Sequence, residues 1–129
     1  MNNKTTIVTS VMGTIAGIAG FEHGVGEIMQ GNVVPPGIFF ESWPDSKLFA
    51  NMAGEPAMSL IPNILISGMI SIIVSGYLIY WSITKTDSKY YGYGYLGLSF
   101  LLLLVGGGFG PPLLGIILGS TTIFLKKTP

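Results

Sequence analysis

His23, the chain's single histidine, stands between Glu22 and Glu27 in the stretch GFEHGVGEIMQGN, residues 20–32, directly after an apolar run. An imidazole beside carboxylates can carry a proton near neutral pH, or join them as mixed nitrogen and oxygen ligands of a metal ion. Direction around a helix limits both. At 100° per residue and measured from Gly13, Glu27 points about 40° away and His23 about 80° away on the same side, while Glu22 points about 180° away. His23 and Glu27, at i and i+4, can therefore interact, and Glu22 belongs to another face. One helix thus supplies no convergent metal-ligand set, so no metal is expected, and the sequence names no cofactor. Three readings stay open for the group: interfacial polar residues that fix the depth of a helix, a binding or proton-linked site, and a membrane enzyme using His23 with Glu22 or Glu27 on a lipid or a metal.

Other chemistry lacks its residues. Cysteine is absent, which excludes disulfides, zinc thiolates and a thiol nucleophile. GYGYLG and GGGFG are not followed by the lysine and hydroxyl residue of a phosphate loop, and no serine sits in a nucleophile elbow. Six basic residues balance six acidic ones, which leaves no basic footprint for nucleic acid.

The elements that position these residues belong in a membrane. Only 9% of the chain is charged and 49% is hydrophobic, with mean hydropathy +0.63; a soluble domain carries roughly 25% charged residues. Four apolar runs, at about residues 5–28, 60–83, 91–109 and 111–125, are candidate spans when judged against the roughly 20 apolar residues that a 30 Å hydrocarbon core requires. The expected fold class is all-α, a single integral membrane domain over residues 1–129 forming a four-transmembrane-helix bundle with an extracytoplasmic loop between helices 1 and 2. A cleavable signal peptide is the other reading of the first run, since MNNK precedes it and GIAG resembles a cleavage site; a single lysine in the n-region argues against it.

In a four-span topology Lys4, Lys85, Lys89, Lys126 and Lys127 share one side and Lys47 takes the other, which places both termini of a multi-pass cell-membrane protein in the cytoplasm. Tyr77, Tyr80, Trp81, Tyr90, Tyr91, Tyr93 and Tyr95 then gather at the inner interface. Phe39, Phe40, Trp43, Leu48 and Phe49 of the outer segment 31–58 can lie on the outer headgroups, and a serine-capped short helix is expected over Ser46 to Met52.

Helices in lipid associate through small residues and interhelical hydrogen bonds. Gly13, Gly17, Gly20 and Gly24 fall within about 60° on the first helix, and Ser67, Ser71 and Ser75 recur every four residues on the second. These faces are expected to meet, antiparallel and close, with a serine-lined ion or water path as the alternative. Gly115 and Gly119 form a GxxxG pair that serves contacts within the chain, in a homo-oligomer or in a larger membrane complex. If the first helix enters the hydrocarbon near Ile7, Glu22 and His23 lie roughly 23 Å across a 30 Å core. The candidate ligand-binding set is Glu22, His23, Glu27 and Asn63, with Gln30 and Asn32 nearby. The connection GGGFGPP either covers this cluster or is an ordinary tight turn.

GFEHGVGEIMQGN, GEPAM, IPNILISG and LLLLVGGGFGPPLLGI together resemble a group of small prokaryotic four-helix membrane proteins, over most of the chain. The resemblance implies a fold and carries no reaction, cofactor or functional residue. Function is expected to be the binding of a small ligand, ion, lipid headgroup or partner protein, beside the surrounding bilayer; the alternatives are the membrane enzyme above and a structural accessory subunit.

Overall fold

A computed structural model describes residues 3–45, 47 and 55–127, without the side chains of Lys126 and Lys127. Helix α1 spans Asn3–Gln30, a hairpin of strands β1 (Phe39–Glu41) and β2 (Pro56–Met58) follows, and α2 (Ile64–Thr84), α3 (Tyr91–Leu104) and α4 (Gly110–Lys127) complete the chain. Apart from Lys47, the short helix expected over residues 46–52 lies outside the described residues, as do Leu48 and Phe49.

The helix ends have local causes. Gly31, at φ 82°, closes α1 in a left-handed turn that glycine adopts without a Cβ clash. α2 starts at residue 64 rather than 60 because Leu60 donates its N–H to the Leu104 carbonyl at 2.9 Å, outside any helix. Asn63 then caps α2, its side chain accepting the Ile66 N–H at 3.0 Å. α3 ends at residue 104 rather than 109, since Gly106 and Gly108 take φ of 98° and 75° and leave helical space. Pro111 and Pro112 lie in the first turn of α4, where a missing N–H costs little.

Within segment 31–58, rich in Pro and Gly, the structure places a short β-hairpin. β1 and β2 pair antiparallel, Phe40 opposite Ala57 and Glu41 opposite Pro56. One further bond, Ser42 N–H to the Glu55 carbonyl at 2.8 Å, brings those two residues together beyond the strands.

The helices run alternately up and down. The hairpin and the connection 105–109 lie at one end, and the connection 85–90 at the other with the start of α1 and the end of α4. α1 and α2 are each long and apolar enough to cross a membrane. α3, with 14 residues, and α4, with 18, extend about 21 and 27 Å at 1.5 Å per residue.

α1 packs on α2 through the absence of side chains. A Cβ at Gly24 would stand 2.8 Å from the Gly68 carbonyl oxygen, and one at Gly17 would stand 3.1 Å from the Ser75 carbonyl oxygen. Gly20 faces the Ser75 hydroxyl and Leu102, and Gly13 faces Tyr95 and Ser82. Ser67 and Ser71 donate to the carbonyls of Val105 and Gly20, at 2.8 and 3.4 Å. In the second pair of helices, Gly115 abuts Ser99 and Gly119 abuts the Gly92 carbonyl, so both glycines of GxxxG are occupied by α3 of the same chain.

Tyr91 and Tyr95 are fully buried core residues, not interface anchors. Their hydroxyls explain the difference: Tyr91 donates to the Ser82 carbonyl at 2.9 Å and Tyr95 to the Thr9 carbonyl at 2.8 Å, tying α3 to α2 and α1. Tyr77, Tyr80, Tyr90 and Tyr93 are exposed.

Small hydroxyls share the interior with an apolar core of Ala16, Val74, Leu78 and Leu102, and the outer surface is apolar as well. Ser67, Ser71, Ser75, Ser82, Ser99 and Thr122 are fully buried, whereas Ile7, Val11, Ile18, Ile73, Phe100, Ile117 and Phe124 face outward.

Candidate functional site

The polar cluster lies where α1, the hairpin and the connection 105–109 meet. α1 contributes Glu22, His23 and Glu27; the pairing of Ser42 with Glu55 places both of those side chains over the helix. Gln30 fastens the hairpin down, its amide donating to the carbonyls of Glu41 and Ser42 at 2.9 and 2.8 Å. Gly26 permits the approach, because a Cβ there would meet the Trp43 ring and the Ser42 carbonyl at 2.5 and 2.6 Å.

His23 is buried and uses both ring nitrogens. Nε2 lies 2.7 Å from Glu55 Oε1, and Nδ1 lies 3.1 Å from the Ser42 hydroxyl. Ser42 in turn donates to Glu27 Oε1 at 3.4 Å. His23 and Glu27 are therefore joined through Ser42. Glu27 is fully buried, and its Oε2 has no hydrogen-bond partner among the described residues.

Glu22, His23 and Glu55 each offer one ligand atom, and these atoms all lie within 4.8 Å of one another. This differs from the set that the sequence suggests, in which Glu22 diverges from its helix neighbours. A carboxylate arriving from the hairpin lies in the angle between residues 22 and 23, so the two need not share a helix face. Burial, with the Glu22 carboxylate beside it, pushes the Glu55 carboxyl up to about 7. The Trp43 indole also lies within electrostatic reach of Glu22, while its buried Nε1 closes no hydrogen bond among the described residues.

The glycine-rich connection covers the cluster. Gly108 lies on the His23 ring and Gly106 on the Glu27 carboxyl and the Ser67 hydroxyl, so closely that a Cβ at either position would collide with them. Phe39 and Phe109 stack at 6.2 Å between centroids and join hairpin to connection. A cleft of about 410 Å³, lined by Gly26, Met29, Gln30, Ser42, Trp43 and Asp45, opens alongside.

Asn63 stands outside this group. It caps α2 and its amide bonds to Asn32. Glu55 and Ser42, which complete the cluster, carry no local sequence signal, since each meets His23 only through the hairpin.

No family model, curated protein or solved structure matches the chain.

Proposed function

We propose that the chain is a four-helix integral membrane protein with both termini cytoplasmic, binding a small ligand at a polar pocket near its outer face. The single observation that carries the reading is the apolar exterior: aliphatic and aromatic side chains cover the outside of the helices while hydroxyls are buried between them, which suits a hydrocarbon solvent, where helices hold together by close contact and not by exclusion of water. Ionisable residues within such a bundle are costly unless they act or are paired. Here His23 and Glu27 lie under a backbone cover with Glu22 and Glu55 beside them, and Glu27 Oε2 and Glu55 Oε2 have no hydrogen-bond partner among the described residues. α3 and α4 fall short of a full hydrocarbon core by length, and local thinning of the bilayer accommodates helices of this size.

Binding without catalysis is the main reading, since one histidine and its carboxylates bring no further machinery. A membrane enzyme acting through the same set is the second, favoured by the proximity of Glu22, His23 and Glu55. As a structural accessory subunit the chain would need a free packing face, and the GxxxG pair is already used internally.

The cysteine-free background allows a direct test. Asp45→Cys and Asp87→Cys, both at exposed positions, are labelled in intact cells with a membrane-impermeant maleimide. Labelling at residue 45 alone, with residue 87 reacting only after permeabilisation, is expected; equal labelling of both in intact cells refutes the topology. Mass spectrometry of the protein purified in mild detergent then identifies what occupies the pocket.

A further inference from the structure

We propose that Glu22, His23 and Glu55 bind one divalent first-row transition-metal ion of the zinc class, an inference that rests on the ligand-pocket reading above and names its ligand.

The first support is the donor set. One imidazole nitrogen and two carboxylate oxygens, drawn from a helix and a hairpin, lie within 4.8 Å of one another. Ligands 2.0 to 2.2 Å from a shared tetrahedral ion stand about 3.4 Å apart, so the Nε2 to Oε1 separation of 2.7 Å opens slightly on loading. A nitrogen in the set favours zinc, iron, copper or nickel over calcium and magnesium, which take oxygen shells of six or more ligands.

The second support is an inventory of hydrogens. A hydroxyl has one hydrogen to give. With the Ser42 hydroxyl donating to Glu27 Oε1, Ser42 receives the Nδ1–H of His23. Nε2 then presents a bare lone pair to Glu55 Oε1 at 2.7 Å. Two lone pairs at that distance repel unless a positive centre lies between or beside them: a proton on Glu55 fills that role in the unloaded site, and a metal ion held also by Glu22 takes the proton's place on binding.

Charge and orientation agree. Three carboxyl groups surround one imidazole, and no lysine pairs with any of them among the described residues. A dication offsets two carboxylate charges. Glu55 Oε2 and Glu27 Oε2 are both buried without a hydrogen-bond partner among the described residues. The sequence His23 to Ser42 to Glu27 is the outer support that metal-bound imidazoles ordinarily have, fixing which nitrogen faces the ion. Gly106 and Gly108 keep bulky side chains away from the imidazole and the Glu27 carboxyl.

The test uses the full chain, stripped with chelator and reconstituted in nanodiscs. Titration with Zn²⁺ is expected to show one ion per chain, raise the unfolding temperature, and be weakened at least tenfold in both Glu55→Gln and His23→Gln. Glu41→Gln, on the hairpin but outside the set, keeps wild-type affinity. Co²⁺ loading is expected to give the visible bands of a tetrahedral nitrogen and oxygen site, and Ca²⁺ is not expected to compete. The amide introduced by Glu55→Gln can still hydrogen-bond His23, so circular dichroism of that variant separates lost ligation from lost fold. A folded wild type that takes up no stoichiometric Zn²⁺, or a folded Glu55→Gln that binds as tightly, overturns the proposal. A chain that ignores metal but whose Trp43 fluorescence, read in a Trp81→Phe background, responds to a co-purified lipid or organic molecule overturns the metal alone; silence toward both overturns the pocket reading as well.

Discussion

Replacing Gly108 by alanine isolates the contact between the glycine-rich connection and the imidazole. At φ 75° the residue occupies left-handed space, which costs an L-residue about 1–2 kcal/mol. The new methyl would also overlap Cε1 and Nε2 of His23, and the ring can yield only by leaving Ser42 at 3.1 Å or Glu55 at 2.7 Å. Losing one such bond, where a partner is charged, costs about 1.5–3 kcal/mol. Alanine also restricts the unfolded chain, which returns about 0.4–1 kcal/mol. The net expectation is a destabilisation of about 2–4 kcal/mol. Gly97→Ala is the control: Gly97 lies within α3, is exposed, and a Cβ there would meet nothing within 4 Å, so the variant should gain up to about 1 kcal/mol from helix propensity. Equilibrium unfolding of the detergent-solubilised chain, followed by far-ultraviolet circular dichroism, measures both. If Gly108→Ala unfolds with the wild type, or the two variants shift together, the backbone cover does not press on the imidazole.

Further outcomes follow from other contacts. Gly24→Ala forces α1 away from the Gly68 carbonyl and should cost about 1–3 kcal/mol by the same unfolding measurement, whereas Gly76→Ala, with open space around it, should not destabilise. Trp81→Phe removes a 2.9 Å bond to the Tyr91 carbonyl and should cost about 1 kcal/mol. For the metal-free chain, the Glu55 carboxyl is raised from 4.5 to about 7, so folding favours its protonated form; that contribution is complete below about pH 4.5 and lost as pH rises through 7. Unfolding temperatures measured from pH 4 to 9 should therefore fall across that window, and Glu55→Gln, which cannot ionise, should flatten the fall.

Helix number and order are legible in the sequence because a run of apolar residues interrupted by Gly and Pro is a local signal. Boundaries are less so: the start of α2 and the end of α3 are decided by Leu60 bonding to Leu104, a pairing between segments far apart in the chain. Small residues mark close helix approach, yet GxxxG alone does not say which helix approaches, and here it is α3. The tyrosines mislead for a related reason. Tyr91 and Tyr95 have the composition of an interface belt, but a backbone carbonyl within reach lets a phenol be buried with its hydroxyl satisfied. In the site, His23 and Glu27 stand out by rarity and spacing, while Ser42 and Glu55 are ordinary loop residues until the hairpin pairs them. Glu22 looks misdirected on a helical wheel because the wheel shows one helix and omits what lies across from it.

The junction between hairpin and helices has a mechanical side. Ser59 bridges Val105, and Leu60 bonds to Leu104, so the strand that leads from Glu55 is stitched to the turn that carries Gly106 and Gly108. A displacement of the strand backbone that carries Glu55 away from His23 would therefore pull on the same backbone that roofs the imidazole. Release of a bound species and unroofing of its seat would then be one concerted movement, registering as a single kinetic phase, with the flank beside Trp43 left as the route that needs no such rupture.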